Sequence, residues 1–181
     1  MRSIGIVSDS HNNIQNLQVV VDKLVSFNID TLIHLGDFYE DVDRLIFPHD
    51  KNFEILRVPG VHHYLYNNIN TKRILIKAED ARILFTHTPR KFQGDASDQI
   101  SIDDMINRNE IDIMLFGHTH QFLVDYNTDS KVLFINPGHL KDFDEQGTPP
   151  TFAHLTLENN RVCVYIYNLI LHTLLERRYI I

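Results

Sequence analysis

Hydrophobic positions in the first thirty residues form two patterns, a short continuous run and then a helical repeat. The run Ser3 to Ser8 is mostly apolar, which predicts a buried strand. After Asn12 and Asn13, apolar residues recur every three or four positions, and this spacing predicts an amphipathic helix with one of the two asparagines as its N-cap. The apolar positions of this helix are Ile14, Leu17, Val20, Val21, Leu24 and Val25.

The next segment repeats the alternation of strand and helix. Thr31 to Leu35 and Phe53 to Val58 are apolar runs of strand length, and a short acidic stretch around Asp41 to Ile46 between them has helical character. Strands that alternate with helices are typical of a parallel sheet, whose ligand sites lie beyond the carboxyl ends of its strands. This part of the chain is therefore predicted to be a parallel α/β unit.

From Arg73 onward the pattern is mostly that of antiparallel strands. Polar turns such as Glu79-Asp80 and Asn159-Asn160 separate short apolar or alternating runs. We predict a helix around Ile102 to Asn107, a tail at Leu169 to Ile181, and strands at Arg73 to Lys77, Ala81 to Thr86, Ile111 to Phe116, Gln121 to Tyr126, Lys131 to Ile135, Thr151 to Leu157 and Arg161 to Tyr167. Since no repeat or linker divides the chain, residues 1–181 are predicted to form a single domain of two packed sheets flanked by helices.

Composition narrows the class of protein. With 181 residues, 43% of them hydrophobic and 23% charged, the chain is long enough and apolar enough for a globular core. A formal net charge of −7 argues against a duplex nucleic acid as partner, because that would need a basic face. The chain opens without a secretory pattern, and the apolar run Val162 to Leu175 is shorter than the roughly 20 residues of a membrane helix, so we expect a cytoplasmic protein without a membrane partner. Exposed Leu and Ile side chains in the C-terminal segment would favour a homo-oligomer.

Residue types that bind metal ions recur at the ends of the predicted strands. They are Asp9, His11, Asp37, His62, His63, His87, His118 and His120. Any one of them alone is better explained as a cap, a turn residue or a solvated loop group. Together they indicate a metal centre, because partly buried imidazoles and carboxylates are costly unless they are paired or bound to a metal.

The order of these motifs carries a family resemblance. D-x-H at Asp9, G-D at Asp37, G-x-H at His62, T-H at His87 and G-H-T-H from Gly117 resemble the calcineurin-like metallophosphoesterases, and in particular their small single-domain phosphodiesterases. The resemblance extends from Ile4 to Gly138, where Asn136-Pro137-Gly138 is similar to the family's closing turn. It implies a four-layer αββα sandwich of two mixed β-sheets between helices, with a dinuclear metal site at the strand ends.

Site roles follow from the resemblance residue by residue. It implies Asp9, His11 and His120 as ligands of one metal, His87 and His118 as ligands of a second, Asp37 as the bridging carboxylate and His62 as the catalytic residue. The implied cofactors are two divalent metal ions, with manganese expected first and nickel, iron, cobalt or zinc as alternatives. The implied reaction is hydrolysis of a small phosphoester by a metal-bound hydroxide, which makes the protein a phosphodiesterase or a phosphatase, with the phosphodiesterase favoured.

Two departures from the family pattern leave alternatives open. Val61 occupies the position of an asparagine that binds the second metal, and a valine side chain cannot coordinate an ion. His63, which replaces an acid, is either a substitute ligand or an exposed loop residue. The alternative function is a catalytically weakened scaffold that binds other proteins, because retromer's small subunit shares the implied fold and serves as a binding scaffold.

Overall fold

The computed structural model describes residues 1–47, 52–67, 72–90, 101–142, 147–169 and 172–181. In these residues the α-helices are α1 (Ile14–Ser26) and α2 (Ile102–Asn107), and short 3-10 helices lie at Tyr39–Arg44 and Tyr64–Asn67. The strands are β1 (Arg2–Val7), β2 (Thr31–His34), β3 (Glu54–Arg57), β4 (Arg73–Ala78), β5 (Ala81–Thr86), β6 (Ile113–Leu115), β7 (Leu123–Asn127), β8 (Val132–Asn136), β9 (Thr151–Glu158), β10 (Arg161–Asn168) and β11 (Thr173–Ile180).

The first sheet has six strands in the order β11-β10-β9-β1-β2-β3. β1, β2 and β3 are parallel, as the alternation of strand and helix predicts, with Ile4 paired to Thr31 and Thr31 to Glu54. β9 lies antiparallel to β1 on its other side and brings β10 and β11 with it. The sheet therefore joins the two ends of the chain around β1, with the carboxyl ends of β1 and β2 side by side.

The second sheet has five strands in the order β4-β5-β6-β8-β7. Its central strands β5, β6 and β8 are parallel, and the edge strands β4 and β7 are antiparallel to their neighbours. Both sheets are thus mixed. The carboxyl ends of β5 and β6 lie next to each other at one end of this sheet.

Side chains that alternate along the strands pack on opposite faces of each sheet, and the sheets and helices form four layers. Ile6 of the first sheet and Phe85 of the second belong to the buried core between the sheets. On the outer face of the first sheet, α1 buries Leu17 in a second core, and α2 buries Ile102 with Leu84 in a third core on the five-stranded sheet. Asn13 is the N-cap of α1, since its side chain accepts a hydrogen bond from the Asn16 backbone N at 3.1 Å. The predicted αββα sandwich is confirmed.

The C-terminal prediction is wrong. Residues Thr173–Ile180, which the sequence analysis assigned to a tail, form β11 and pair antiparallel with β10 from Arg161 opposite Ile180 onward. β11 is an edge strand whose side chains are largely exposed on both faces, so its sequence carries no apolar alternation to reveal it. The acidic stretch begins two residues earlier than predicted, as a 3-10 helix at Tyr39–Arg44. None of the described helices has the length and apolar character needed to cross a membrane.

Candidate metal centre

Strands from both sheets bring the six predicted metal ligands to one end of the sandwich. β1 leads into Asp9 and His11, β2 into Asp37, β5 into His87, and β6 into His118 and His120. A hydrogen bond from the His118 backbone N to Asp9 Oδ2, 3.0 Å long, ties the loop of the second sheet to that of the first. The candidate centre therefore lies across the edge where the two sheets meet.

Left-handed backbone conformations shape these loops. Five of the six predicted ligands, namely Asp9, His11, Asp37, His118 and His120, have φ angles between 47° and 69°. Such conformations cost a residue other than glycine on the order of 1–3 kcal/mol and persist only where the surroundings enforce them. The recurrence of this conformation at the ligand positions indicates that the loops orient these side chains at the cost of backbone strain.

The first cluster contains Asp9, His11 and His120, each offering one ligand atom within 4.8 Å of the others. The Nε2 atoms of the two histidines are 3.2 Å apart, and Asp9 Oδ1 lies 3.9 Å from His11 Nε2 and 3.3 Å from His120 Nε2. Burial lowers the pKa of His11, although Asp9 and Asp37 act in the opposite direction. Its ring is therefore held in the neutral form that coordinates metals.

The two oxygens of Asp9 differ in their surroundings. Oδ2 accepts hydrogen bonds from Ser8 Oγ and from the His118 backbone N, whereas Oδ1 is buried and has no hydrogen-bond partner. Burial raises the pKa of Asp9, but His120, His87 and Ser8 outweigh it, so that the pKa lies below its usual value. A buried, ionised oxygen without a hydrogen bond is costly, and a bound cation would satisfy it.

Asp37 lies between the two groups of ligands. Its Oδ2 is 3.8 Å from His11 Nε2, and its Oδ1 is 3.4 Å from His87 Nε2. One oxygen thus faces each group. This orientation suits a carboxylate that binds two ions at once.

The second cluster consists of Asp37, His87 and His118, again with ligand atoms within 4.8 Å of one another. His87 is fully buried, and its Nδ1 donates to the Leu35 carbonyl oxygen at 2.7 Å. The remaining lone pair is therefore on Nε2, a buried atom without a hydrogen-bond partner, as in histidines that bind a metal while a backbone carbonyl orients the ring. Burial also lowers the pKa of His118 and favours its neutral form.

The donor set fits divalent transition metals. Each cluster combines imidazole nitrogens with a carboxylate, a mixture that suits manganese, iron, cobalt, nickel or zinc. Two of the buried side-chain atoms that lack a hydrogen bond, Asp9 Oδ1 and His87 Nε2, belong to residues of the two clusters. The residues present therefore fit two ions.

The remaining two predicted residues lie outside both clusters. His62 is exposed on the turn that follows β3. His63 is half-buried, its Nδ1 accepts a hydrogen bond from the Leu65 backbone N at 3.1 Å, and its Nε2 donates to Glu40 Oε1 at 2.6 Å. His63 is thus neither a member of a ligand cluster nor a fully exposed loop residue, because its half-buried ring donates a hydrogen bond to Glu40.

Sequence reasoning missed Asp41, one of the residues that support the loop carrying Asp9 and His11. Asp41 is buried, and its Oδ2 accepts from Ser10 Oγ and from the Asn12 backbone N, both at 2.8 Å. Behind Ser10, the fully buried His34 accepts from the Gly36 backbone N at Nδ1 and so donates from Nε2 to Ser10 Oγ at 3.2 Å. Burial lowers the pKa of His34 to about 3, in agreement with this neutral ring. An acidic residue near the start of the 3-10 helix was the available signal.

Comparison with known proteins gives a family match and several structural neighbours. The family model described as calcineurin-like phosphoesterase superfamily domain matches residues 1–160. Phosphodiesterase MJ0936 of Methanocaldococcus jannaschii is 27% identical over 152 residues, which cover 75% of this chain and 82% of that protein.

Two solved structures illustrate the shared fold. The E. coli phosphoesterase Yfce has a TM-score of 0.65 and 15% identity, covering 97% of this chain and 98% of that chain. Wild-type Vps29 of Entamoeba histolytica, solved in complex with Zn²⁺, has a TM-score of 0.63 and 19% identity, covering 98% of both chains. At such identities the neighbours show a common fold.

Proposed function

Because the chain belongs to the calcineurin-like phosphoesterase superfamily, we propose that it is a metal-dependent phosphodiesterase that hydrolyses a small phosphodiester. The observation that carries the proposal is the position of Asp37, whose two oxygens face two separate groups of ligand atoms. The relative MJ0936, a phosphodiesterase, supports the choice of a diester. The zinc complex of Vps29 supports metal binding on this fold.

Each residue of the site has a proposed task. Two ions held by the clusters would lower the pKa of a shared water toward about 7 and stabilise negative charge on the phosphoryl oxygens. Asp9 and Asp37 supply the negative charge that retains the cations, and the hydrogen bond to the Leu35 carbonyl keeps His87 Nε2 aimed at its cluster. His62, exposed beside Val61, is proposed to give a proton to the leaving oxygen.

The direct test combines metal analysis with turnover. Purified protein is stripped with a chelator and reloaded with manganese, nickel, iron, cobalt or zinc in turn. We expect about two ions per chain in the reloaded protein, and hydrolysis of bis(4-nitrophenyl) phosphate that is faster than hydrolysis of 4-nitrophenyl phosphate and disappears on chelation. His87→Ala should bind less metal, and the exposed His172→Ala is the matched control. Full turnover by the stripped protein would refute the metal dependence.

A second prediction concerns Val61 and the affinity of the second metal site. If an oxygen ligand is missing at this position, Val61→Asn should lower the manganese concentration needed for half-maximal activity by about tenfold, because one more ligand strengthens the second site. Val61→Leu keeps an apolar side chain of similar size and serves as the control. Equal manganese requirements in wild type and Val61→Asn would show that the second site lacks no ligand there.

A scaffold is the second candidate function, and two observations favour it. Val61 removes a family ligand, and a Vps29 protein is among the structural neighbours. The retained clusters count against it, since a scaffold has no need of buried ligand atoms without hydrogen bonds. If no metal restores turnover of either 4-nitrophenyl ester, the scaffold becomes the better assignment.

A further inference from the structure

Phe38 has an unusual conformation and position for a phenylalanine. It follows Asp37 with φ 62° and ψ 38°, in the left-handed region that bulky side chains rarely adopt. Its ring is nevertheless 47% exposed. Folding therefore gains little burial from this ring to offset the strained backbone, and such strain at a site points to function.

The surroundings hold Phe38 in this conformation. Its carbonyl oxygen accepts a hydrogen bond from the Asp41 backbone N at 2.9 Å and lies 3.2 Å from Ser10 Oγ. Asp41 is itself anchored by Ser10, as described above. The next aromatic residue, Tyr39, is covered by the Arg57 guanidinium, 5.2 Å from the ring centroid. Tyr39 is thus packed against Arg57, whereas Phe38 is largely open to solvent.

The ring of Phe38 lies directly beside the candidate metal centre. Its centroid is 5.4 Å from that of His11, and the two rings are tilted by 50°. His11 also borders a depression of about 440 Å³ whose other polar lining residues are Asn12, Asn13, Gln15, Arg44 and Asp142. An open aromatic surface and a polar groove therefore flank the same metal ligand.

We infer that Phe38 is a stacking platform for the base of a nucleoside phosphodiester, an inference that rests on the proposed function and specifies its substrate class. A planar base stacks on an aromatic ring whatever its hydrogen-bonding edge. In the neighbouring depression, Asn12, Gln15 and Asp142 offer donors and acceptors for the sugar hydroxyls. Asn13 and Arg44 there already pair with Asp142 and Asp41. The net charge of −7 disfavours binding of a long polyanion, and a single nucleoside phosphodiester is compatible with it.

Two esters with the same leaving group test the inference. Thymidine 5′-(4-nitrophenyl phosphate) carries a base, and methyl 4-nitrophenyl phosphate does not, while both release 4-nitrophenolate. We expect the manganese-loaded wild type to prefer the thymidine ester by about tenfold in kcat/KM, mainly through KM, near the lower end of what a stacked base contributes. Phe38→Leu should bring the ratio close to one, and Phe38→Tyr should retain it.

A binding measurement that needs no turnover accompanies the kinetics. Calorimetric titration with thymidine 5′-monophosphate and with methyl phosphate should show tighter binding of the nucleotide in wild type, and this difference should vanish in Phe38→Leu. If wild type treats both esters alike, or if Phe38→Leu slows both equally and keeps the ratio, the inference is overturned while the phosphodiesterase proposal stands. If neither ester is hydrolysed with any metal, the phosphodiesterase proposal fails, and the titration alone decides on Phe38.

Discussion

Replacement of Asp37 by asparagine should lower kcat/KM for a phosphodiester by roughly 1,000-fold, which corresponds to about 4 kcal/mol of transition-state stabilisation. Asparagine has nearly the same volume, but it lacks the negative charge and offers only one oxygen. Asp37 is 3.8 Å from His11 on one side and 3.4 Å from His87 on the other, so the loss affects both clusters. In the proposed site, Asp37 is the ligand assigned to both ions.

Metal binding and stability separate this effect from misfolding. For wild type, manganese at 100 times its dissociation constant should raise the melting temperature by roughly 5–10 °C, since it binds the folded state only. Asp37→Asn should melt like wild type without metal and lose most of this increase. Asp129→Asn, in the exposed turn before β8, changes the same charge and should behave like wild type. Undiminished turnover or undiminished manganese stabilisation in Asp37→Asn would contradict the bridging role.

The sequence was sufficient for the strands that are buried on both faces. β1 and β2 are short apolar runs between polar loops, and a run of that kind has few alternatives in a chain of this length. Periodicity did not show that β9 and β10 join the first sheet beside β1, because pairing between distant strands leaves no local trace. The sequence also did not reveal β11, for a related reason: an exposed edge strand needs no apolar alternation.

Candidate ligands could be predicted because histidines and aspartates stand out at the ends of apolar strands. The structure brings six of the eight into two clusters, while His62 and His63 lie outside them. His63 could not be placed from the sequence, because its partner Glu40 is distant along the chain and is an exposed residue of a 3-10 helix. The roles of the six ligands, the cytoplasmic location and self-association through the C-terminal segment stay predictions.

Supporting residues were beyond sequence reasoning for a different physical reason. Asp41 appears in the sequence as one of several acids in a polar stretch, and only its burial beneath Ser10 distinguishes it. Nothing in the sequence distinguishes Phe38 from the other phenylalanines, whereas its left-handed backbone leaves the residue 47% exposed beside His11. Backbone conformation at these positions depends on hydrogen bonds between loops, which no local pattern records.

Gly60 illustrates a close backbone approach on which the site depends. A Cβ atom added at this position would overlap Asp37 Oδ1 and lie 2.5 Å from the Asp37 backbone N. Neither atom can move far, because Asp37 has a strained backbone and its side chain lies between His11 and His87. The glycine of the G-x-H motif is thus required by the space it leaves for Asp37, and not by a positive φ angle of its own.

Gly60→Ala should therefore lower kcat/KM by about 100-fold, since a displacement of about 1 Å at a reacting site costs that much. Manganese affinity should fall as well, because the displaced carboxylate serves both clusters. Val61→Ala changes the side chain of the next residue without adding an atom and is the matched control, with manganese affinity close to that of wild type. Circular dichroism and the melting temperature of the metal-free protein identify any general loss of fold. A folded Gly60→Ala protein with wild-type manganese affinity would show that Asp37 is free to shift, and so that its observed position between the clusters is not needed for metal binding.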